Sequence, residues 1–282
     1  VLRNGEKVWE GEIAGLVPED LIGKMVGSKE GSSLVLPWLP KEEKILEVES
    51  LSDGKKLQGI SFSLHRGEIL GVYGLQGSGR TELLETLFGV RKRASGVVFF
   101  RGEPFEPASP EEAIRKGVAL VPEDRGKKGL ILEHSLFDNV ALPHLAAYQG
   151  LLGYFRERKL KPALGKVVER LRTRYRSLEE KVQFLSGGNQ QKVVLAKWIL
   201  TEPKILILDT PTHGVDIGAK ENIYQSIIEL TEKGLSIVLI SDEEQEVMMV
   251  SDRVLVMKSG RIVGEFDTRS ITEEDLRRKV RE

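Results

Sequence analysis

The sequence predicts an α/β domain on a mainly parallel core sheet, with an antiparallel β subdomain and a helical insertion. Three observations predict it. The C-terminal part alternates helical spacing (188–201, 218–233, 243–249) with strand-like runs (204–208, 236–240, 253–258). Runs such as Ile205-Leu206-Ile207-Leu208 and Ile237-Val238-Leu239-Ile240 have the length of buried strands. A further strand, Glu68 to Val72, enters a glycine-rich turn, and Thr81 to Phe88 has helical spacing.

The N-terminal elements repeat the C-terminal ones. Val1-Leu-Arg-Asn-Gly5-Glu-Lys-Val8-Trp-Glu10 parallels Val256-Met-Lys-Ser-Gly260-Arg-Ile-Val263-Gly-Glu265 at an offset of 255 residues. The same offset pairs Glu19-Asp20-Leu21 with Glu274-Asp275-Leu276, and Lys24 with Lys279. Each copy reads as a hairpin turning at Gly5 or Gly260, then a short helix entered through Pro18-Glu-Asp or Thr272-Glu-Glu. Residues 1–26 are therefore expected to end a preceding copy of the domain, and 44–282 to form a complete second copy. The Gly, Ser and Pro of 27–43 mark a linker.

Within the second copy, residues 44–72 alternate apolar runs with turns at Asp53-Gly54 and Arg66-Gly67, which suggests antiparallel strands. Ser109-Pro-Glu-Glu112 is a capping box opening a helix that ends at Gly117, before a strand to Val121. Residues 125–185 form the helical insertion, with a basic stretch from Arg156 to Arg176.

Composition narrows the function. Apolar residues are 40% and charged residues 30% of the chain, as in soluble globular domains. A net charge of −1 gives no reason to coat nucleic acid, and the basic stretch lacks the interleaved aromatics of a stacking platform. The absence of cysteine excludes disulfides, thiolate zinc sites and a cysteine nucleophile, and fits a reducing compartment. No apolar run approaches the roughly 20 residues that span a bilayer, and no secretory signal is read at the N-terminus. Any role at a membrane is expected to come through a partner. His65, His134, His144 and His213 show no metal-ligand spacing, and Trp198 is expected in the core.

Three motifs carry chemistry. Gly74-Leu-Gln76-Gly77-Ser78-Gly79-Arg80-Thr81-Glu82 has the phosphate-loop spacing G-x-x-x-x-G-K-[ST], with Arg80 in place of lysine. Its glycines let backbone N–H groups converge on phosphate, and Thr81 would place a hydroxyl on Mg²⁺. Arg80 keeps the charge but not the compact shape of an ammonium. Lys204-Ile-Leu-Ile-Leu-Asp209 ends a buried strand in a carboxylate that can hold Mg²⁺ through water. Leu185-Ser186-Gly187-Gly188-Asn189-Gln190-Gln191-Lys192 exposes a hydroxyl and bare N–H groups at a helix start, an anion site without lysine.

On these residues, 44–282 resembles the ATP-binding cassette (ABC) transporter family. The narrower resemblance is to the second cassette of two-cassette importers of ribose-like monosaccharides. It rests on Gly74 to Glu82, Val121-Pro-Glu123-Asp-Arg125, the Asn-Gln-Gln-Lys continuation of the signature, and Gly214-Val-Asp216-Ile-Gly-Ala-Lys220. The resemblance implies an ABC-type phosphate-loop fold and a head-to-tail cassette pair around two ATP molecules with Mg²⁺. Each site would join one cassette's phosphate loop to the other's signature, here Ser186 to Gln190, with Asp216 in the cross-dimer loop. The implied partners are the preceding cassette of the same polypeptide, integral membrane permease subunits and, indirectly, a sugar-binding protein, at the cytoplasmic face of the cell membrane.

Several positions depart from the family pattern. Thr210 follows Asp209 where the family places the glutamate that polarises water, and Asp242 stands at the usual switch histidine. Glu123 replaces the usual lid glutamine, and no aromatic lies near Ser52–Asp53, where the family stacks adenine. Thr210 cannot act as a base, a loss of about 10²–10⁴ in rate, and Asp242 is expected to repel a γ-phosphate. The expectation is an asymmetric pair: this half clamps nucleotide and donates its signature, and the other half hydrolyses. The competing functions are a soluble ABC ATPase on DNA or the ribosome, and a regulatory cassette that binds no nucleotide. With only 106 positions between Arg80 and Ser186, the chain has no room for the long coiled coil of DNA-repair members.

Overall fold

The computed structural model describes residues 1–3, 6–12, 41–145 and 157–281. The turn at Gly5, the helix expected after Pro18, most of the linker and Arg156 lie outside the described residues. The strands are β1 (Leu2–Arg3), β2 (Glu6–Lys7), β3 (Lys44–Ser52), β4 (Ile60–His65), β5 (Ile69–Tyr73), β6 (Ser95–Phe100), β7 (Glu103–Pro104), β8 (Val118–Val121), β9 (Ile205–Asp209), β10 (Ser236–Ile240), β11 (Arg253–Lys258) and β12 (Arg261–Asp267). The α-helices are α1 (Arg80–Leu87), α2 (Pro110–Arg115), α3 (Leu136–Ala141), α4 (Glu157–Arg170), α5 (Gly187–Ile199), α6 (Ile217–Thr231), α7 (Glu244–Val250) and α8 (Glu273–Arg281).

Two sheets build residues 44–267. One runs in the order β12-β11-β5-β10-β9-β8, parallel throughout except for the β11–β12 hairpin; the other, β4-β3-β6-β7, is antiparallel. Side chains alternate across the parallel strands, so one strand feeds two cores. Leu206, Leu208, Ile237 and Leu239 pack into the cluster under α3–α6, while Ile205, Ile207, Val238 and Ile240 join the cluster shared with the antiparallel sheet. That is why these runs are apolar on both faces. The register is flush: Ile240 lies opposite Val72 on one side and Asp209 on the other. The strands therefore end at one level, and the residues that follow them share one edge.

The structure corrects several local expectations. Although 44–72 reads as one antiparallel set, β5 leaves it and pairs in parallel with β10 and β11. The antiparallel sheet is completed instead by β6 and β7. At α2, Ser109 accepts the N–H of Glu112, but the Glu112 carboxylate reaches back to the N–H of Ala108 (2.9 Å) rather than to Ser109, so the box is not reciprocal. His65 is not isolated, since its Nδ1 lies 2.9 Å from Glu68 Oε2, and Arg253 joins the same group through Glu68 Oε1 (2.6 Å). In the insertion, Leu160, Leu164 and Val168 turn the inner face of α4 to the core. Arg158, Arg172, Arg174 and Arg176 are exposed to solvent, as on an ordinary charged face. Trp198 is half-buried against that core.

The C-terminal hairpin turns at Gly260 as its sequence predicts, and the turn braces the glycine-rich loop. Gly260 donates its N–H to the Ser78 carbonyl (2.8 Å) and accepts the N–H of Gln58 (2.9 Å). Its φ is +78°, and a Cβ there would lie 1.8 Å from the Lys56 carbonyl oxygen. Gly260→Ala is expected to destabilise the domain by about 2–4 kcal/mol, read as a lower urea midpoint. An unchanged midpoint would mean that the turn does not hold the loop.

Candidate functional site

The glycine-rich loop leaves β5 at Gly74, where a Cβ would meet the Met257 carbonyl oxygen at 2.4 Å. Gly77 (φ +80°) and Gly79 (φ +106°) take left-handed conformations that turn the chain into α1. Gln76 to Glu82 line a cleft whose far wall is Glu123, Asp209, Thr210, Ile240 and Asp242. Among the described residues no aromatic ring lines it. Ser78 Oγ is buried without a hydrogen-bond partner among the described residues, and the Thr81 side chain is exposed at the first turn of α1. This is a cradle of amide and hydroxyl donors at a helix N-terminus, shaped for an oxyanion.

Arg80 begins α1 and is buried; its Nη1 donates to the Ser241 carbonyl (2.9 Å) and its Nη2 to the Asp242 carboxylate. Two residues read as separate departures are thus one ion pair, and the Asp242 charge, expected only to repel phosphate, already has a partner. Burial, then the nearby Glu123 carboxylate, push Asp209 up to about 6. Thr210 donates its N–H to the Ile240 carbonyl (2.9 Å) and holds φ at +44°, a strained value for a β-branched residue.

The signature residues lie apart from this cleft; none of them lines it. Ser186 caps α5, and its Oγ accepts from Asn189 Nδ2 (2.9 Å) and, at 3.4 Å, from the Asn189 N–H. Asn189 Oδ1 accepts the N–H of Arg174 (2.9 Å), and Gln190 Nε2 donates to the Val182 carbonyl (3.1 Å), so both amides hold the segment before the helix. The glycines are also demanded by packing. A Cβ on Gly187 would meet Arg125 Nη2 at 2.7 Å, and one on Gly188 would meet the Ala219 Cβ at 2.6 Å. Asp216 is exposed and caps α6 through the Ala219 N–H (3.0 Å).

Two residues gain roles that sequence reading did not assign. Arg125 donates Nη1 to the His213 carbonyl (2.7 Å), Nη2 to the Gly214 carbonyl (3.2 Å) and Nε to Gln190 Oε1 (3.4 Å). It therefore ties the loop after β9 to the signature helix. Glu246 is buried and accepts from Ser241 Oγ (2.6 Å), Tyr224 Oη (2.6 Å), Thr212 Oγ1 (2.8 Å) and Lys220 Nζ (2.8 Å). Only helical spacing in 243–249 could have placed Glu246 inward, and its neighbours Glu243 and Glu244 blur that signal.

The family model described as ABC transporter matches residues 57–213, more than half of the chain. The chain belongs to the ABC transporter family. It is 41% identical over 276 residues to a ribose import ATP-binding protein of Rhizobium meliloti, covering 98% of this chain and 55% of that protein. Similarity to a galactose/methyl galactoside import ATP-binding protein of Photobacterium profundum is 42% over 277 residues, covering 98% and 56%. The chain spans about half the length of the curated relatives it matches. A nucleotide-free ATP-binding cassette from an ABC transporter superposes with a TM-score of 0.70 at 24% identity, covering 85% of this chain and 96% of that one. That likeness speaks for the fold alone. A Clostridium perfringens structure, part of the ABC transporter complex cbiONQ, has a TM-score of 0.69 at 28% identity, covering 85% and 95%.

For an ABC cassette, the donor set fits a phosphate chain with a divalent cation. The unpartnered Ser78 hydroxyl and the amides of the loop suit phosphate, and the raised Asp209 carboxyl marks a place where a cation would relieve repulsion. Among the described residues no group of three His, Cys, Asp or Glu could hold a metal ion by itself. Thr81 and Asp209 would share Mg²⁺ with phosphate oxygens and water, as that ion prefers.

Glu246 links this ABC cassette's site to its stability. Burial works to raise its pKa, but the hydrogen bonds from Lys220, Ser241, Tyr224 and Thr212 outweigh it and hold the carboxyl below its ordinary 4.5. A depressed carboxyl stabilises the fold fully above the unfolded value, and the stabilisation is lost as pH falls through the folded value. Glu246→Gln should therefore cost about 3 kcal/mol at pH 7, with the difference from wild type narrowing below pH 4.5. Denaturant titrations at neutral and acid pH measure this; a difference independent of pH would show that the charge of Glu246 contributes nothing.

Proposed function

We infer that this chain is the nucleotide-binding, energy-coupling part of a monosaccharide importer. Residues 1–26 would close a first cassette, 27–43 link, and 44–282 form the second. Supporting this are the import proteins it resembles, its match to about half their length, and the repeat at an offset of 255 residues. The preceding cassette is its proposed partner in the nucleotide sandwich, and integral membrane permease subunits receive the motion. A sugar-binding protein acts indirectly, and nucleic acid has no part. Among the described residues no helix is long and apolar enough to cross a membrane, which fits a peripheral subunit at the cytoplasmic face.

The nucleotide site on this chain's own loop is degenerate. Gln76 to Glu82, with Asp209 and Glu123, hold ATP and Mg²⁺, but the residue after Asp209 is Thr210, whose hydroxyl does not replace a carboxylate as a base. That substitution carries the reading. Bound Mg²⁺ would offset phosphate charge, and the chain's own residues would bind and orient without activating water. The signature, Ser186 to Gln190, is complete, and its helix start can face the nucleotide of the partner cassette.

The purified chain is expected to show ATPase turnover near background. In the full two-cassette protein, Ser186→Ala should lower kcat at least about tenfold. Turnover by the lone chain equal to that of a competent cassette, or an unchanged kcat in the variant, would overturn the division of labour.

A further inference from the structure

The phosphate cleft is unusually acidic for its task. Glu82, Glu123, Asp209 and Asp242 all line it, and among the described residues Arg80 is the one basic side chain in its lining. Glu82 is partly offset by Lys56 from outside, at 3.5 Å. Arg80 is not spare, because its guanidinium is divided between the Ser241 carbonyl and the Asp242 carboxylate. The Asp242 side chain is 62% exposed to the cleft side and solvent, whereas that of Arg80 is 9% exposed, so the arginine is held and the aspartate is presented. Ser241 is itself fixed, with its Oγ donating to Glu246 (2.6 Å) and accepting the N–H of Glu243 (3.1 Å). The segment bearing Asp242 is therefore anchored on both sides.

A phosphate chain entering the loop meets two different surfaces. Its first groups find the amides and the Ser78 hydroxyl. A terminal group reaching the strand ends finds Glu123, Asp209 and Asp242, and Arg80, the cation in the lining, already carries a carboxylate; Lys128 acts on Asp209 from outside the lining. An anion that reaches the guanidinium must share it with the Asp242 carboxylate, whose negative charge stands beside it, or displace that carboxylate and leave it unpaired.

We propose that Asp242 is the specificity-determining residue of this site: its carboxylate occupies Arg80 as a terminal phosphate would, so the site holds a nucleoside diphosphate in preference to a triphosphate. This rests on reading the loop as a nucleotide site and assigns that site's selectivity. In the asymmetric pair, such a site would stay filled with diphosphate while the partner site cycles.

Calorimetric titration of the chain with Mg-ADP and Mg-ATP tests it. Wild type should bind Mg-ADP more tightly. Asp242→Asn should lower the ratio Kd(ATP)/Kd(ADP) about tenfold, chiefly through a gain for ATP. Asp242→Ser should move the ratio the same way, and Asp242→Glu should leave it near wild type. Matched circular-dichroism melts confirm that the variants fold. If wild type binds no ATP and Asp242→Asn does, the proposal stands in its strongest form. Binding of both nucleotides with an unchanged ratio overturns the role of Asp242 alone. No binding of either nucleotide by any of the proteins overturns the nucleotide reading itself, and this proposal with it.

Discussion

Flush parallel pairing of β5, β10 and β9 is the constraint on which the site depends. Because Ile240 sits level with both Val72 and Asp209, the chain leaves three neighbouring strands at one height. The glycine loop, Asp209-Thr210 and Ser241-Asp242 are therefore placed side by side without any contact among their side chains being needed. The strands can do this because both their faces are apolar and covered, which leaves their ends as the polar exits from the core. A slip of one residue would exchange the two faces of a strand and move Asp209 off the level it shares with Ile240.

The edge so built is crowded with carboxylates, and the cassette meets that crowding in three ways. Arg80 bridges to Asp242, Asp209 takes an elevated pKa, and Glu246 is buried behind them among four donors. Arg80 and Asp242 each look like a loss when judged against the family pattern. Together they make one ion pair, the planar guanidinium dividing its donors between the Asp242 carboxylate and the Ser241 carbonyl. Thr210 is different. Its β-branched side chain does nothing to relieve the left-handed backbone it must adopt, so the turn after β9 holds a strained residue.

The sequence displays what depends on local pattern and hides what depends on distant partners. Strands 236–240 and 253–258, the hairpin at Gly260 and the helix after Thr272 agree with the observed elements, because hydrophobic period and turn chemistry are written within a few residues. The change of sheet at β5 is not local, since β5 and its partners β10 and β11 lie more than 160 residues apart. Pairing of Arg80 with Asp242 spans 162 positions, and the grip of Arg125 on His213 spans 88. No periodicity reports such contacts. The signature glycines read as exposed backbone, but Gly188 is buried and Gly187 only half-exposed; their crowding by Arg125 and Ala219 is invisible locally, because it belongs to elements folded in from elsewhere.

Arg125 also shows how two separated halves of the chemistry can be mechanically joined. It lies two residues from Glu123, which lines the phosphate cleft, and its guanidinium is wedged between Gly187 of the signature helix and the carbonyls of His213 and Gly214. The Gly214 loop leads directly to Asp216, the cap of α6, and α6 carries Lys220 into the Glu246 cluster behind Ser241. A path of backbone and hydrogen bonds thus runs from Glu123 through Arg125 to the signature helix and the Gly214 loop, and on through α6 and Glu246 to Ser241, whose carbonyl accepts from Arg80. Tightly packed interiors shift as units rather than deform smoothly, and the Arg80–Asp242 pair and the signature helix are joined through such packed, hydrogen-bonded elements. By this route the phosphate cleft and the signature helix are held in one framework.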